Sequence, residues 1–184
     1  MTAANRCVAA IDVGTISTRL CVLGDALDDG RPGTEIRRAT VTHTGEELRA
    51  TRRVGTAALD RLRTCLTEYR AIIDEAGATE VNVVATAVAR NATNRHEISA
   101  VVAEVLGVEL DIISGQREAE LGFRGAVEGL DPRAVDDRSM ILVIDVGGAS
   151  TEFSLGSRRD GYERGYSADM RASTLTDAYL FADP

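Results

Sequence analysis

An eight-residue stretch occurs twice in the chain: Ile11-Asp-Val-Gly-x-x-Ser-Thr18 returns as Ile144-Asp-Val-Gly-x-x-Ser-Thr151, with six of eight positions identical. Each copy ends an apolar run in Asp-x-Gly and follows it with two hydroxyl side chains. A glycine at that place lets the backbone turn tightly and approach a ligand, and its neighbouring amides and hydroxyls are donors for phosphate oxygens. The aspartates, Asp12 and Asp145, have the chemistry to hold a magnesium ion or its waters. Gly14, Thr15 and Ser17 in the first copy, and Gly147, Gly148, Ser150 and Thr151 in the second, are therefore candidate phosphate donors. Asp-Gly is also an ordinary hairpin turn, but two copies in equivalent places favour the ligand reading. Two such turns facing each other would form a two-sided phosphate clamp.

Two further residues extend this chemistry. Glu118 lies in the first turn of an expected helix, where the macrodipole favours an ionised carboxylate, and such a group near a bound phosphate can serve as a general base. Arg90 stands just beyond an expected strand and has the forked donor geometry that suits phosphate, although a loop arginine is also an ordinary solvated residue.

The elements that must position these residues follow from periodicity. Cys7 to Val13 and Ser17 to Leu23 read as a β-hairpin, with a third strand at about Glu35 to His43 beyond a polar loop, Asp25 to Thr34. Apolar residues at three-and-four spacing from Thr51 to Ala76 predict a long amphipathic helix stopped by Gly77. Val81 to Thr86 reads as a strand, and Asn94 with Glu97 as the N-cap of a helix ending near Gly107. Val108 to Ile113 reads as another strand, and a helix from about Gln116 to Gly129 carries Ala119, Phe123 and Val127 on one side. After a polar stretch, Asp131 to Arg138, three strands are expected at Met140 to Val146, Ser150 to Leu155 and Tyr162 to Tyr166, then a helix from about Met170 to Phe181.

The predicted fold class is α/β. A ribonuclease-H-like (actin-like ATPase) domain of order β-β-β-α-β-α-β-α would occupy residues 1–132. The opening three-strand meander of a second such domain would occupy 139–184.

Composition narrows the function classes. The chain has 184 residues, 29 acidic and 21 basic, for a net charge of −8, and every basic residue is arginine. The absence of lysine excludes P-loop and Schiff-base lysine chemistry. An acidic chain with 4% aromatic residues is a poor nucleic-acid binder, so neither DNA nor RNA is expected as partner. Cys7, Cys21 and Cys65 read as buried free thiols in a reducing compartment. His43 and His96 form no cluster with them, so no structural zinc is expected. No apolar run reaches membrane-spanning length, and a cytoplasmic location is the expectation. The open meander leaves strand edges that invite a homodimer.

The segments Asp12–Thr18, Ala85-Thr-Ala-Val-Ala-Arg90 with Asn94, Ile113-Ser-Gly-Gln-Arg-Glu-Ala-Glu-Leu121, and Asp145–Glu152 together resemble the exopolyphosphatase/guanosine pentaphosphate phosphatase family, within the acetate and sugar kinase/Hsp70/actin superfamily. The resemblance implies a Mg²⁺-dependent phosphohydrolase that releases terminal phosphate from polyphosphate or guanosine pentaphosphate. Glu118 would match the residue that activates water, and Asp145 and Glu152 would match metal-associated acids. Two segments depart from the pattern: Thr15-Ile16 stands where Ser-Asn is usual, and Ala149 where a third glycine is usual. A catalytically weak polyphosphate or guanosine tetraphosphate binding module is the alternative these departures raise, and a small-molecule kinase of the same superfamily is another.

Overall fold

The computed structural model describes residues 6–25, 33–131 and 133–168. It divides after Ile112 into two compact units.

The first unit opens with β1 (Cys7–Val13) and β2 (Ser17–Gly24), an antiparallel hairpin that pairs Asp12 with Arg19 and Val13 with Thr18. β3 (Glu35–Val41) extends it antiparallel, while β4 (Glu80–Ala85) and β5 (Leu110–Ile112) add on the other side of β1 in parallel. The sheet order is β3-β2-β1-β4-β5. Alternation along the hairpin turns Ala9, Ile11, Val13, Leu20 and Val22 to one face, all at most 2% exposed. The helices α2 (Thr56–Glu75) and α4 (Arg95–Leu106) contribute Leu62, Leu66, Ile73, Ile98 and Val102 to the same core.

Both helices stop as their glycines dictate, with Gly77 at φ 68° and Gly107 at φ 72°. The start of α2 differs from the periodicity. A separate turn, α1 (Leu48–Thr51), closes at Arg52 in the left-handed region, and α2 begins only after Gly55. A Cβ at Gly55 would lie 2.7 Å from the Glu47 carboxylate, so the chain breaks where that carboxylate sits against the helix start. A short helix, α3 (Ala87–Asn91), follows β4 directly where a loop was expected.

Asn94 stands at the N-cap of α4, as expected, but its side chain makes no capping hydrogen bond. It is fully buried and clasps the backbone of Val54 instead. Its Oδ1 accepts from the Val54 amide at 2.9 Å and its Nδ2 donates to the Val54 carbonyl at 3.0 Å.

The second unit holds α5 (Gly115–Glu128) and an antiparallel sheet ordered β6-β7-β8, from β6 (Ile141–Val146), β7 (Thr151–Ser157) and β8 (Gly161–Ala168). The sequence reading assigned α5 to a first domain of residues 1–132. In the structure α5 packs on the three-stranded sheet: the Ser154 hydroxyl donates to the Ala119 carbonyl at 2.9 Å, and Phe123 meets Tyr162 edge-on with centroids 6.1 Å apart. The opposite face carries Leu142, Ile144, Val146 and Tyr166, all more than half exposed. The helix expected at Met170 to Phe181 lies outside the described residues.

Of the three cysteines expected to be buried, Cys65 is, whereas Cys7 and Cys21 are half-buried, and all three are free thiols. No helix among the described residues is long and apolar enough to cross a membrane.

Candidate functional site

The two sequence copies fold into the same device. In the first unit the Gly14 amide donates to the Ser17 carbonyl at 3.0 Å, and in the second the Gly147 amide donates to the Ser150 carbonyl at 2.9 Å. The register repeats as well, with Asp12 opposite Arg19 and Asp145 opposite Glu152, seven residues on in each case. Neither glycine needs a left-handed conformation, since positive φ among the described residues is confined to His43, Arg52, Gly77, Gly107 and Gly161. Closeness is what excludes a side chain: a Cβ at Gly14 would stand 2.7 Å from the Ser17 carbonyl oxygen, and one at Gly147 2.9 Å from that of Ser150. Ala149, the departure in the second turn, lies outside the positive-φ set, so its methyl brings no backbone strain.

In the first unit the candidates gather at one end of the sheet. β1 and β4 run parallel with Val13 beside Ala85, so the turn carrying Gly14, Thr15 and Ser17 and the helix α3 carrying Arg90 leave the same sheet edge. The carboxyl ends of parallel strands are where open α/β sheets bind ligands. Asp12, on the last turn-proximal part of β1, has its Oδ1 fully buried. Arg90 is half-buried at the end of α3, rather than on the solvated loop that was the plainer expectation.

The second unit brings three acidic candidates onto one helix–sheet contact. Glu118 is in the first turn of α5, whose N-cap Ser114 accepts from the Arg117 amide at 3.1 Å. Gly122, one turn further, faces the sheet so that a Cβ there would lie 3.9 Å from Oδ2 of Asp145. Asp145 and Glu152 are directly opposed across β6 and β7 and therefore share a face. Glu152 is 2% exposed, and Ser167 on β8 donates to its Oε1 at 2.8 Å. Glu120 is engaged elsewhere, held by Arg117 at 2.8 Å and Arg124 at 2.6 Å, and these arginines keep its carboxyl below the usual range.

No three acidic, histidine or cysteine side chains among the described residues converge on a common point. That arrangement does not make an all-protein cage, but Mg²⁺ characteristically takes one or two carboxylates and fills its octahedron with water and phosphate oxygens. The adjacent pair Asp145 and Glu152, one exposed and one buried, fits such a site.

The sequence pattern of the Ppx/GppA phosphatase family matches residues 28–184, most of the chain. The chain belongs to the Ppx/GppA phosphatase family. It is 38% identical, over 96% of its length, to Exopolyphosphatase 2 of Mycobacterium tuberculosis, and covers 56% of that protein. Among solved structures, an exopolyphosphatase-like protein superposes with a TM-score of 0.82 at 31% identity, over 97% of this chain and 55% of that one. The Aquifex aeolicus family member superposes with a TM-score of 0.77 at 27% identity, over 98% of this chain and 56% of that one. The fold is thus the actin-like ATPase type, with the strand order β3-β2-β1-β4-β5 as its first sheet. The chain spans a little over half the length of these relatives.

Sequence reasoning missed the segment Thr42–Gly45, which contacts the first turn directly. Its amides at Thr42 and His43 donate to the Ile16 carbonyl, and that of Gly45 donates to the Thr15 carbonyl. The Thr-Gly pair was the only signal, and it reads as an ordinary turn.

Proposed function

We propose that this chain carries the phosphate-binding turns and the general base of a Mg²⁺-dependent, cytoplasmic phosphohydrolase that releases terminal phosphate from inorganic polyphosphate or guanosine pentaphosphate. The observation that supports this most is the placement of Glu118 on the helix that packs over Asp145 and Glu152, beside a turn built like the one at Gly14. The name of the mycobacterial relative, an exopolyphosphatase, supports polyphosphate as the substrate.

In this reading the turns at Gly14–Ser17 and Gly147–Thr151 bind phosphate oxygens through amides and hydroxyls. Arg90 adds a forked cation. Asp145 and Glu152 would hold Mg²⁺, and Asp12 on the first unit has the same carboxylate chemistry for a metal or its waters. When bound, the ion neutralises phosphate charge and polarises the phosphoryl oxygens. Glu118 removes a proton from water as that water attacks the terminal phosphorus. The bond from phosphorus to the bridging oxygen breaks, and its electron pair leaves with the shortened chain. Such transfer depends on positioning and electrostatics more than on covalent help from the protein, so this set is sufficient.

Phosphate release from polyphosphate and from guanosine pentaphosphate, with and without Mg²⁺, tests the reading. Metal-dependent release that disappears in Glu118→Gln supports it, and equal release by wild type and variant removes Glu118 from the mechanism. Polyphosphate binding with no release by the wild type would establish a binding module, the second reading, which the departures at Thr15-Ile16 and Ala149 raise.

A further inference from the structure

The back of the first phosphate turn is held by more contacts than a hairpin requires. The amides of Thr42 and His43 converge on one acceptor, the Ile16 carbonyl, at 3.0 and 2.9 Å, and the Gly45 amide reaches the Thr15 carbonyl at 2.9 Å. From α2 the Tyr69 hydroxyl donates to the Thr18 carbonyl at 2.8 Å.

The donor segment is itself fixed. Arg61 donates through Nε to the Thr42 carbonyl at 2.8 Å and through a terminal nitrogen to Oε1 of Glu46 at 2.6 Å. The hydroxyls of Thr18, Thr42 and Thr44 form a chain at 3.1 and 2.9 Å, with all three residues at most 1% exposed. His43 sits at φ 47°, a left-handed bend at the point where two successive amides serve one carbonyl.

One contact within this clasp is specific to the side chain at position 15. A Cβ built on Gly45 would stand 2.4 Å from Cγ2 of Thr15, more than 1 Å inside ordinary carbon–carbon contact at about 3.5 to 4.0 Å. The Thr15 methyl fills the space that the missing Gly45 side chain leaves. Because Cγ2 and Oγ1 share one carbon, anything that displaces the methyl rotates or shifts the hydroxyl with it.

We propose that Gly45 is a positioning residue for the phosphate turn, and that the matched pair Thr15 and Gly45 sets where the Thr15 hydroxyl and the Thr15–Ser17 amides meet phosphate. The proposal rests on the reading of that turn as a phosphate site. Gly45 touches no substrate; it acts through Thr15.

The test compares wild type, Gly45→Ala, Thr15→Ser and the double variant. Long-chain inorganic polyphosphate is the binding probe, and amide hydrogen exchange at Thr42, His43 and Gly45 is read in the same four proteins. Gly45→Ala should weaken polyphosphate binding and raise KM by about tenfold or more, since misplacing a binding group by about 1 Å costs on that order. Thr15→Ser keeps the hydroxyl and deletes Cγ2, so the double variant should bind as Thr15→Ser does, with its amide protection restored. A purely structural glycine would lower stability while leaving the affinity of the folded protein unchanged, and that result overturns the proposal. So does a double variant as weak as Gly45→Ala. If wild type binds no polyphosphate, the phosphate reading of the turn fails. The positioning claim is then decided by exchange alone: faster exchange in Gly45→Ala that Thr15→Ser reverses upholds it, and unchanged exchange overturns it.

Discussion

Asn94→Ala separates a structural asparagine from a ligand-binding one. Asn94 belongs to one of the motifs that carry the family resemblance, yet its side chain is engaged by the protein itself: by both backbone groups of Val54, and by Oε2 of Glu97 at 3.0 Å. Val54 is 3% exposed, so truncation leaves an amide and a carbonyl buried without their partners. Each such group costs about 1 to 3 kcal/mol, which puts the loss at about 3 to 5 kcal/mol once some relaxation is allowed. With a urea slope of about 2 kcal/mol per molar, the unfolding midpoint should fall by about 1.5 to 2.5 M at unchanged slope. Asn94→Asp should do no better, because it keeps the acceptor for the Val54 amide, loses the donor to the Val54 carbonyl, and sets a carboxylate against Glu97. Urea titration followed by circular dichroism measures all three proteins. A loss below about 1 kcal/mol for Asn94→Ala, half or less of what a single well-buried orphan group can cost, would refute the assignment of Asn94 to the Val54 clasp.

Glu118→Gln should lower kcat by about 10² to 10⁴ while polyphosphate affinity stays within about twofold, the signature of a lost general base. Gly147→Ala forces a methyl to 2.9 Å from the Ser150 carbonyl and should cost about 1 to 3 kcal/mol in the second unit, read as a lower thermal midpoint. Burial pushes the Cys65 thiol above its ordinary range and leaves it 2% exposed, so a disulfide reagent at pH 8 should label Cys7 and Cys21 first and Cys65 only on unfolding. One common rate for all three thiols would contradict this. Hydrogen bonding to Arg63 holds the Glu104 carboxyl below its usual range. Its stabilisation of the α2–α4 contact is therefore present above the unfolded-state pKa and lost as pH falls through the folded value, and Glu104→Gln should flatten the acid limb of a stability–pH curve. The pair is solvent-exposed, so the effect should be small.

Much of the architecture was readable because it rests on local physics. Alternation at Cys7–Val13 and Ser17–Gly24 specifies a hairpin with one buried face, and the observed register agrees with it. Glycine after an amphipathic run, as at Gly77 and Gly107, ends a helix whatever surrounds it. The repeat around Asp12 and Asp145 was visible as identical letters, and the structure adds that both copies close with the same hydrogen bond. Asn94 is the N-cap residue of α4 as expected, but its side chain makes no capping hydrogen bond, because the buried backbone of Val54, 40 residues away, takes the same amide group. Alone among the site candidates, Arg90 moved from an expected loop onto a helix. Five residues are too few to show a period, and the chain leaves β4 straight into α3.

By itself the sequence determined which residues are candidates for the chemistry and where most strands and helices lie, because residue type, spacing and glycine placement act within a few residues of the chain. It also determined the family, through the order of four motifs. Only the tertiary structure decided that α5 packs on the second sheet, bringing the Glu118 helix over Asp145 and Glu152. It alone decided that Gly45 makes room for Thr15. An apolar period says that a face will be buried but not against what, and a glycine says that a side chain is missing but not which neighbour needs the space.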